Sequence, residues 1–242
     1  MIVYKLTDLK GRSYGGTQWG ENVIHTATGK GLKFCSPDLI HAYAHPLLAV
    51  LLNPLHANFD ALLLWEAEGE VVASDHGLKL GFKTLTILHS VAVPQVTTQQ
   101  RVRFAILCAL TRWTPPTWAD WARKWLDGTD CSRESAKAML SRLEKTPIEH
   151  GRVGWAAALA VSASAVGAVV AALMAAEIAE AAEPTLESSV VVVTEVVGVT
   201  KAVAVKTEAL TLVAAEAVVA AASIVETPLD LVALAEQACR ES

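Results

Sequence analysis

Neither histidine nor tryptophan occurs beyond Trp155, although the chain holds seven of each. Residues 156–242 therefore offer no imidazole for acid–base or metal chemistry and no indole for stacking. Any site built on those groups must lie in the front part. Cysteine is also scarce: Cys35, Cys108, Cys131 and Cys239 stand far apart, and no two have the spacing of a metal-ligand or redox motif. Phe34-Cys35 and the run Phe104–Leu110 around Cys108 are apolar settings, so reduced thiols and core packing are expected. No basic run occurs in either part, which argues against nucleic-acid binding through phosphate neutralisation. The start, Met1-Ile2-Val3-Tyr4-Lys5-Leu6, lacks the basic and apolar regions of a signal peptide. No glycine-rich phosphate loop and no Ser/His/Asp pattern stands out.

What is present divides in two. Residues 1–154 carry 17 Lys and Arg against 14 Asp and Glu. Residues 155–242 carry 3 against 11 and consist mostly of Ala, Val, Leu, Ser, Thr and Glu. The 22 residues from Trp155 to Ala176 hold no charge, long enough to span a bilayer. Their side chains are mostly small and give little hydrocarbon transfer energy, so a membrane span is not expected.

These patterns predict an α+β protein: a small mixed β-sheet domain over 1–95, a Trp-rich helical segment over 96–150, and an Ala/Val-rich helical tail over 151–242. Strands are expected at Ile2–Leu6, Val23–His25, Leu32–Cys35, Ala61–Glu68, Gly69–Ser74 and Leu85–Val91. Ser36-Pro37-Asp38 reads as a helix start, with a helix from Asp38 to Leu52 ending before Asn53-Pro54. Thr97 and Gln100 form a capping box for the next helix. Thr117 is expected to cap a helix that Asp127-Gly128 ends, and Asp130 to start a third. In the tail, a helical hairpin is predicted over 152–226, although Val190–Val199 has the β-branched density of a strand. Thr227-Pro228 is expected to start a last helix. The long apolar hairpin would leave a face uncovered, and self-association through 152–226 is the simplest consequence.

Three sets of residues could carry chemistry. His41 and His45 would share one face of the Asp38–Leu52 helix at i, i+4 spacing, a partial zinc site; His56 follows beyond Pro54. His25, Tyr43 and one of Glu66, Glu68 and Glu70 have the residue types and order of the His-Tyr-Glu set in ADP-ribosyltransferase-like folds, where His and Tyr bind the dinucleotide and Glu stabilises the transition state. The plainer reading makes the three glutamates a solvated hairpin. Trp118, Trp121 and Trp125 at i, i+3 and i+7 read first as core. Their alternative is a stacking or partner-binding surface, with Arg112 and Arg123 placed to meet an anion.

The runs Leu32-Lys33-Phe34-Cys35-Ser36-Pro37-Asp38, Leu64–Val71, Arg101–Ala109 and Trp121–Ser132 resemble a bacteriophage accessory-protein family with an Ala-rich helical tail. That resemblance covers about residues 1–140 and brings no catalytic residues. It implies a phage-encoded accessory protein; together with the absence of a complete catalytic set it leads to the expectation of a non-enzymatic binding protein, active in the cytoplasm of the infected bacterial cell on a host protein or a small signal molecule, with counter-defence as one such role. A nucleotide-transfer enzyme and a virion structural or assembly protein are the alternatives. No cofactor is expected.

Overall fold

The computed structural model describes residues 1–111, 114–144, 218 and 228–240. The expectations for the hairpin over 152–226, for the uncharged run 155–176, for Arg112 and for self-association lie outside these residues. Within them the protein is α+β. It divides into two units, one of residues 1–96 and 228–236, the other of 97–227 and 237–242.

The first unit is built from seven strands and a helix: β1 (Ile2–Asp8), β2 (Ile24–Thr26), β3 (Ile40–Ala42), α1 (Pro46–His56), β4 (Leu62–Glu68), β5 (Val71–Asp75), β6 (Lys79–Phe82) and β7 (Thr84–Val91). One sheet runs β1-β4-β7-β2 and a second runs β3-β6-β5. Every pairing among the described strands is antiparallel, where a mixed sheet was expected. Tyr4 and Tyr43 exchange backbone hydrogen bonds of 2.8 and 2.9 Å, so β1 also borders the segment leaving β3. The two sheets thus share one apolar cluster: Val3, Trp19, Ala42, Ala67, Leu80, Phe82, Leu85 and Ile87. Burying these side chains is the main stabilising term of the unit, at about 25 cal/mol per Å² of apolar surface.

Alternation explains β1. Val3, Lys5 and Thr7 share a side by the period of two, and Val3 and Thr7 are fully buried. Trp65, in register with Lys5, donates its indole N–H to the Thr7 hydroxyl at 2.8 Å, which satisfies two buried polar groups at once.

The segment 32–45 departs from expectation. Leu32–Cys35 forms no strand, Phe34 and Cys35 instead making a turn, and no helix starts at Ser36. The Asp38 carboxylate accepts the backbone N–H groups of Gly31 at 3.1 Å and Lys33 at 3.2 Å, so it closes the preceding loop and caps no helix. The Lys33 hydrogen bond is the main cause that holds the Asp38 carboxyl below its usual range. Lys83 ties the same loop by donating to the carbonyls of Gly29, Gly31 and Asp38. A Cβ at Gly29 would stand 2.8 Å from the backbone of Asp38, so glycine is required there; at Gly31 a Cβ would meet only the Asp38 side chain. Residues 40–42 then pair with β6.

The helix begins eight residues later than expected. His45 is its N-cap, accepting the Leu47 N–H at Nδ1 (3.3 Å), and Pro46 occupies the first turn. The helix also passes through Pro54. Asn53 makes this possible: its side chain exchanges two hydrogen bonds with the Phe59 backbone, at 3.0 and 3.1 Å, and its carbonyl accepts from Ala57. The extra turn carries His56.

The second unit contains α2 (Thr98–Leu110), α3 (Pro116–Leu126) and α4 (Arg133–Glu144). The Thr97/Gln100 capping box is present in both directions. Pro115, not Thr117, is the N-cap of α3, and no side chain caps that end. Gly128, at φ +78°, follows its C-terminus. Ser132 precedes α4 and accepts the Ser135 N–H at 3.2 Å, while Asp130 holds Ser132. The last helix, α5 (Leu231–Arg240), is capped by Asp230, which accepts the Ala233 N–H at 3.0 Å, three residues after the expected Thr227.

Trp118, Trp121 and Trp125 are 1, 6 and 2 % exposed, and the first two rings stack at 5.4 Å. Trp121 donates to the Ser135 hydroxyl at 3.0 Å and so links α3 to α4. Ser135→Ala is expected to leave this buried indole N–H without an acceptor and to cost about 1–2 kcal/mol. Urea unfolding followed by circular dichroism would measure it; a change below about 0.3 kcal/mol would show that water replaces the hydroxyl.

Candidate functional site: a cation-lined cavity in the first unit

A cavity of about 700 Å³ opens in the first unit. That size lies in the usual range for small-molecule sites. Its wall is assembled from distant parts of the chain: Lys5 on β1, Trp19 and His25 on and before β2, Cys35 in the loop, His41 and Tyr43 on and after β3, His56 at the end of α1, and Lys79 on β6. Among the described residues no Asp or Glu lines it.

Lys5 is the centre of the electrostatics. Its position on the Val3/Thr7 side of β1 puts a long cationic side chain where the strand pattern calls for an apolar one. The ammonium donates to the His41 carbonyl at 2.8 Å and stands 5.3 Å from the centre of the Trp19 ring. It has no carboxylate partner among the described residues. Loss of water lowers its pKa to about 8. The Trp19 indole is 4 % exposed, and its N–H finds no acceptor among the described residues.

Lys79 is the second cation, 9 % exposed at the first residue of β6. Asp75, four residues earlier, faces it at 3.5 Å, and it donates to the Cys35 sulfur at 3.4 Å. Cys35 has φ +55°, a left-handed conformation uncommon outside glycine. Its N–H donates to His41 Nε2 at 3.4 Å, and Phe34 stacks on the His41 ring at 5.4 Å. That hydrogen bond requires an unprotonated Nε2. Burial, then the positive charges of Lys79 and Lys5, holds the His41 pKa down to about 4. Burial and then Lys79 do the same to His56, also to about 4. His56 Nδ1 lies 3.2 Å from the Tyr43 hydroxyl, whose pKa burial raises. The wall therefore presents two ammonium groups, of which Lys79 is paired with Asp75, and the neutral imidazoles of His41 and His56.

Of the residues singled out in the sequence, the cavity unites His25, Tyr43 and His41. His25 is held by the Gln18 carbonyl at 2.8 Å and meets the Trp19 ring edge-on at 4.6 Å. The glutamates are not part of it. Glu66 and Glu68 lie on the side of β4 opposite to Trp65 and Ala67, while Lys5 is in register with Trp65. Glu70 is exposed in the link to β5. The His-Tyr-Glu constellation is thus not assembled.

The paired-histidine expectation also fails in its geometry. His41 is in a strand and His45 is a helix cap, so they share no helix face; His45 Nε2 instead faces Glu236 at 3.6 Å. No group of three or more metal-ligating side chains exists among the described residues. The tryptophan stripe is core, not surface. Arg123 is exposed and paired with Asp120 at 3.0 Å.

Lys5, Trp19 and Lys79 are site residues that sequence patterns do not single out, and His56 stands out only as following the His41/His45 pair. For Lys5 a signal exists: a lysine between Val3 and Thr7 on a buried strand side is out of place unless something uses it. No helix among the described residues is long and apolar enough to cross a membrane. Compared with family models, curated proteins and solved structures, the chain matches none, so its function rests on the chemistry of this cavity.

Proposed function

We propose that the protein is a non-enzymatic binding protein whose first unit captures a small anionic molecule. The observation that carries this is Lys5, a cavity-lining ammonium with no carboxylate partner among the described residues. A buried charge is costly unless paired, and a ligand carrying negative charge pairs it. Lys79, which also faces Asp75, adds a second cation, and Trp19 contributes to the wall beside Lys5. The bacteriophage resemblance supplies the setting: sequestration of a small signal molecule in the infected cell.

A thermal-melt panel tests the binding. Inorganic phosphate, pyrophosphate and AMP are expected to raise Tm, with adenosine as the uncharged control. An anion at ten times its Kd adds about 1.4 kcal/mol of stability. The shift should shrink with added salt, as the partly exposed part of the attraction is screened. Shifts no larger than those given by sodium chloride at equal ionic strength would overturn the proposal.

A further inference from the structure

We infer that Lys5 captures the carbonyl carbon of an anionic aldehyde or ketone as an imine, so that the ligand class is an anionic carbonyl compound held reversibly by a covalent bond. This rests on the anion-binding reading and goes one step beyond it. The amine lines the cavity, is fixed by the His41 carbonyl and the Trp19 ring, and has no acid beside it among the described residues to hold it as an ammonium. Lys79 lines the same cavity and is placed to hold a phosphate or carboxylate on the same ligand. Desolvation supports the step, because it leaves a usable share of Lys5 as free amine near neutral pH.

The chemistry balances without any redox partner. The ammonium loses a proton to solvent, and the nitrogen lone pair attacks the carbonyl carbon. The proton count is restored on the carbonyl oxygen, giving a carbinolamine. Its hydroxyl then leaves as water while the C=N bond forms. One carbonyl and one amine give one imine and one water, and hydrolysis reverses it. Such a bond needs no turnover, which suits a protein that sequesters its ligand.

Pyridoxal phosphate, with sodium cyanoborohydride to reduce any imine, is the probe. At pH 7.5 an amine of pKa about 8 is about one quarter neutral, against about 0.1 % for an ordinary lysine. Substoichiometric probe followed by peptide mapping should therefore label Lys5 at least about tenfold more than the exposed Lys10, Lys30 and Lys33. Inorganic phosphate should suppress the Lys5 label and spare the others, and pyridoxal without phosphate should show a smaller preference, the part due to amine basicity alone. Labelling of Lys5 no greater than that of Lys10 overturns the imine. If phosphate still raises Tm in that case, the anion-binding reading stands alone; if it does not, both fall.

Discussion

Acidification from pH 6.5 to 4 is expected to remove on the order of 3–5 kcal/mol of stability from the protein. His41 and His56 are each held to a pKa of about 4 in the fold, against about 6.5 in an unfolded chain. Burial is the larger cause for both, and Lys79 is the next. As pH falls through 6.5, the unfolded chain takes up protons that the folded one refuses. The stability present above pH 6.5 is therefore lost progressively down to about pH 4. Each ring could contribute up to about 3 kcal/mol. Both respond to the same Lys79 charge, and His56 also to His41, so the two contributions do not simply add. Total stabilities of about 5–15 kcal/mol make such a loss large. Asp38, Asp127 and Asp130, whose carboxyls hydrogen bonds hold below the usual range, lose their contribution only at lower pH. Urea titrations at pH 7, 5.5 and 4.5 would trace the slope. The double variant His41→Gln/His56→Gln should flatten it; an unchanged slope in that variant would assign the acid sensitivity elsewhere.

The same residues separate what sequence patterns reveal of the molecule from what they hide. Local chemistry is legible. The Thr97/Gln100 box needs only four residues, and the Trp118/Trp121/Trp125 stripe needs only the helical period. Strands β1, β4 and β7 can be read from their apolar runs and bounding turns. Non-local chemistry is not legible. Ser36-Pro37-Asp38 has every local mark of a helix start, but the Asp38 carboxylate is already occupied by the backbone of Gly31 and Lys33. Residues 40–42 become a strand because β6, some forty residues later, offers them an edge. All four residues of β6 are buried, so it has no alternation to announce it. His56 enters the wall only because Asn53 secures the helix beyond Pro54, a side-chain arrangement that no propensity scale contains. The cavity is the sum of these non-local events. Spacing draws the eye to its histidines, but as the wrong pair. His41 belongs with Lys5, Lys79 and Cys35 rather than with His45.

Lys5→Met should make the protein more stable at pH 7 while abolishing its response to anions. The unfolded lysine has a pKa near 10.5 and the folded one about 8, a difference that opposes folding by up to about 3 kcal/mol wherever both states would otherwise be charged. Methionine keeps most of the stem beside Trp19 without the charge. Against this, the His41 carbonyl loses its donor, worth about 1 kcal/mol. The net expectation is a gain of about 2 kcal/mol at pH 7. The sign of the pH dependence separates this from simple repacking. Because the folded pKa is the lower one, the penalty on the wild type is fully present below pH 8 and fades as pH rises towards 10.5. The advantage of the variant should fade over the same window, and wild type and variant should converge at high pH. Phosphate, pyrophosphate and AMP should no longer raise the Tm of the variant, since the unpaired cation that attracts them is gone. A group retained at a cost to stability is the usual mark of a functional site. If Lys5→Met were destabilising at every pH, Lys5 would be a structural donor to the His41 carbonyl and nothing more. A gain in stability together with a lost anion response instead marks Lys5 as the group the cavity keeps for its ligand.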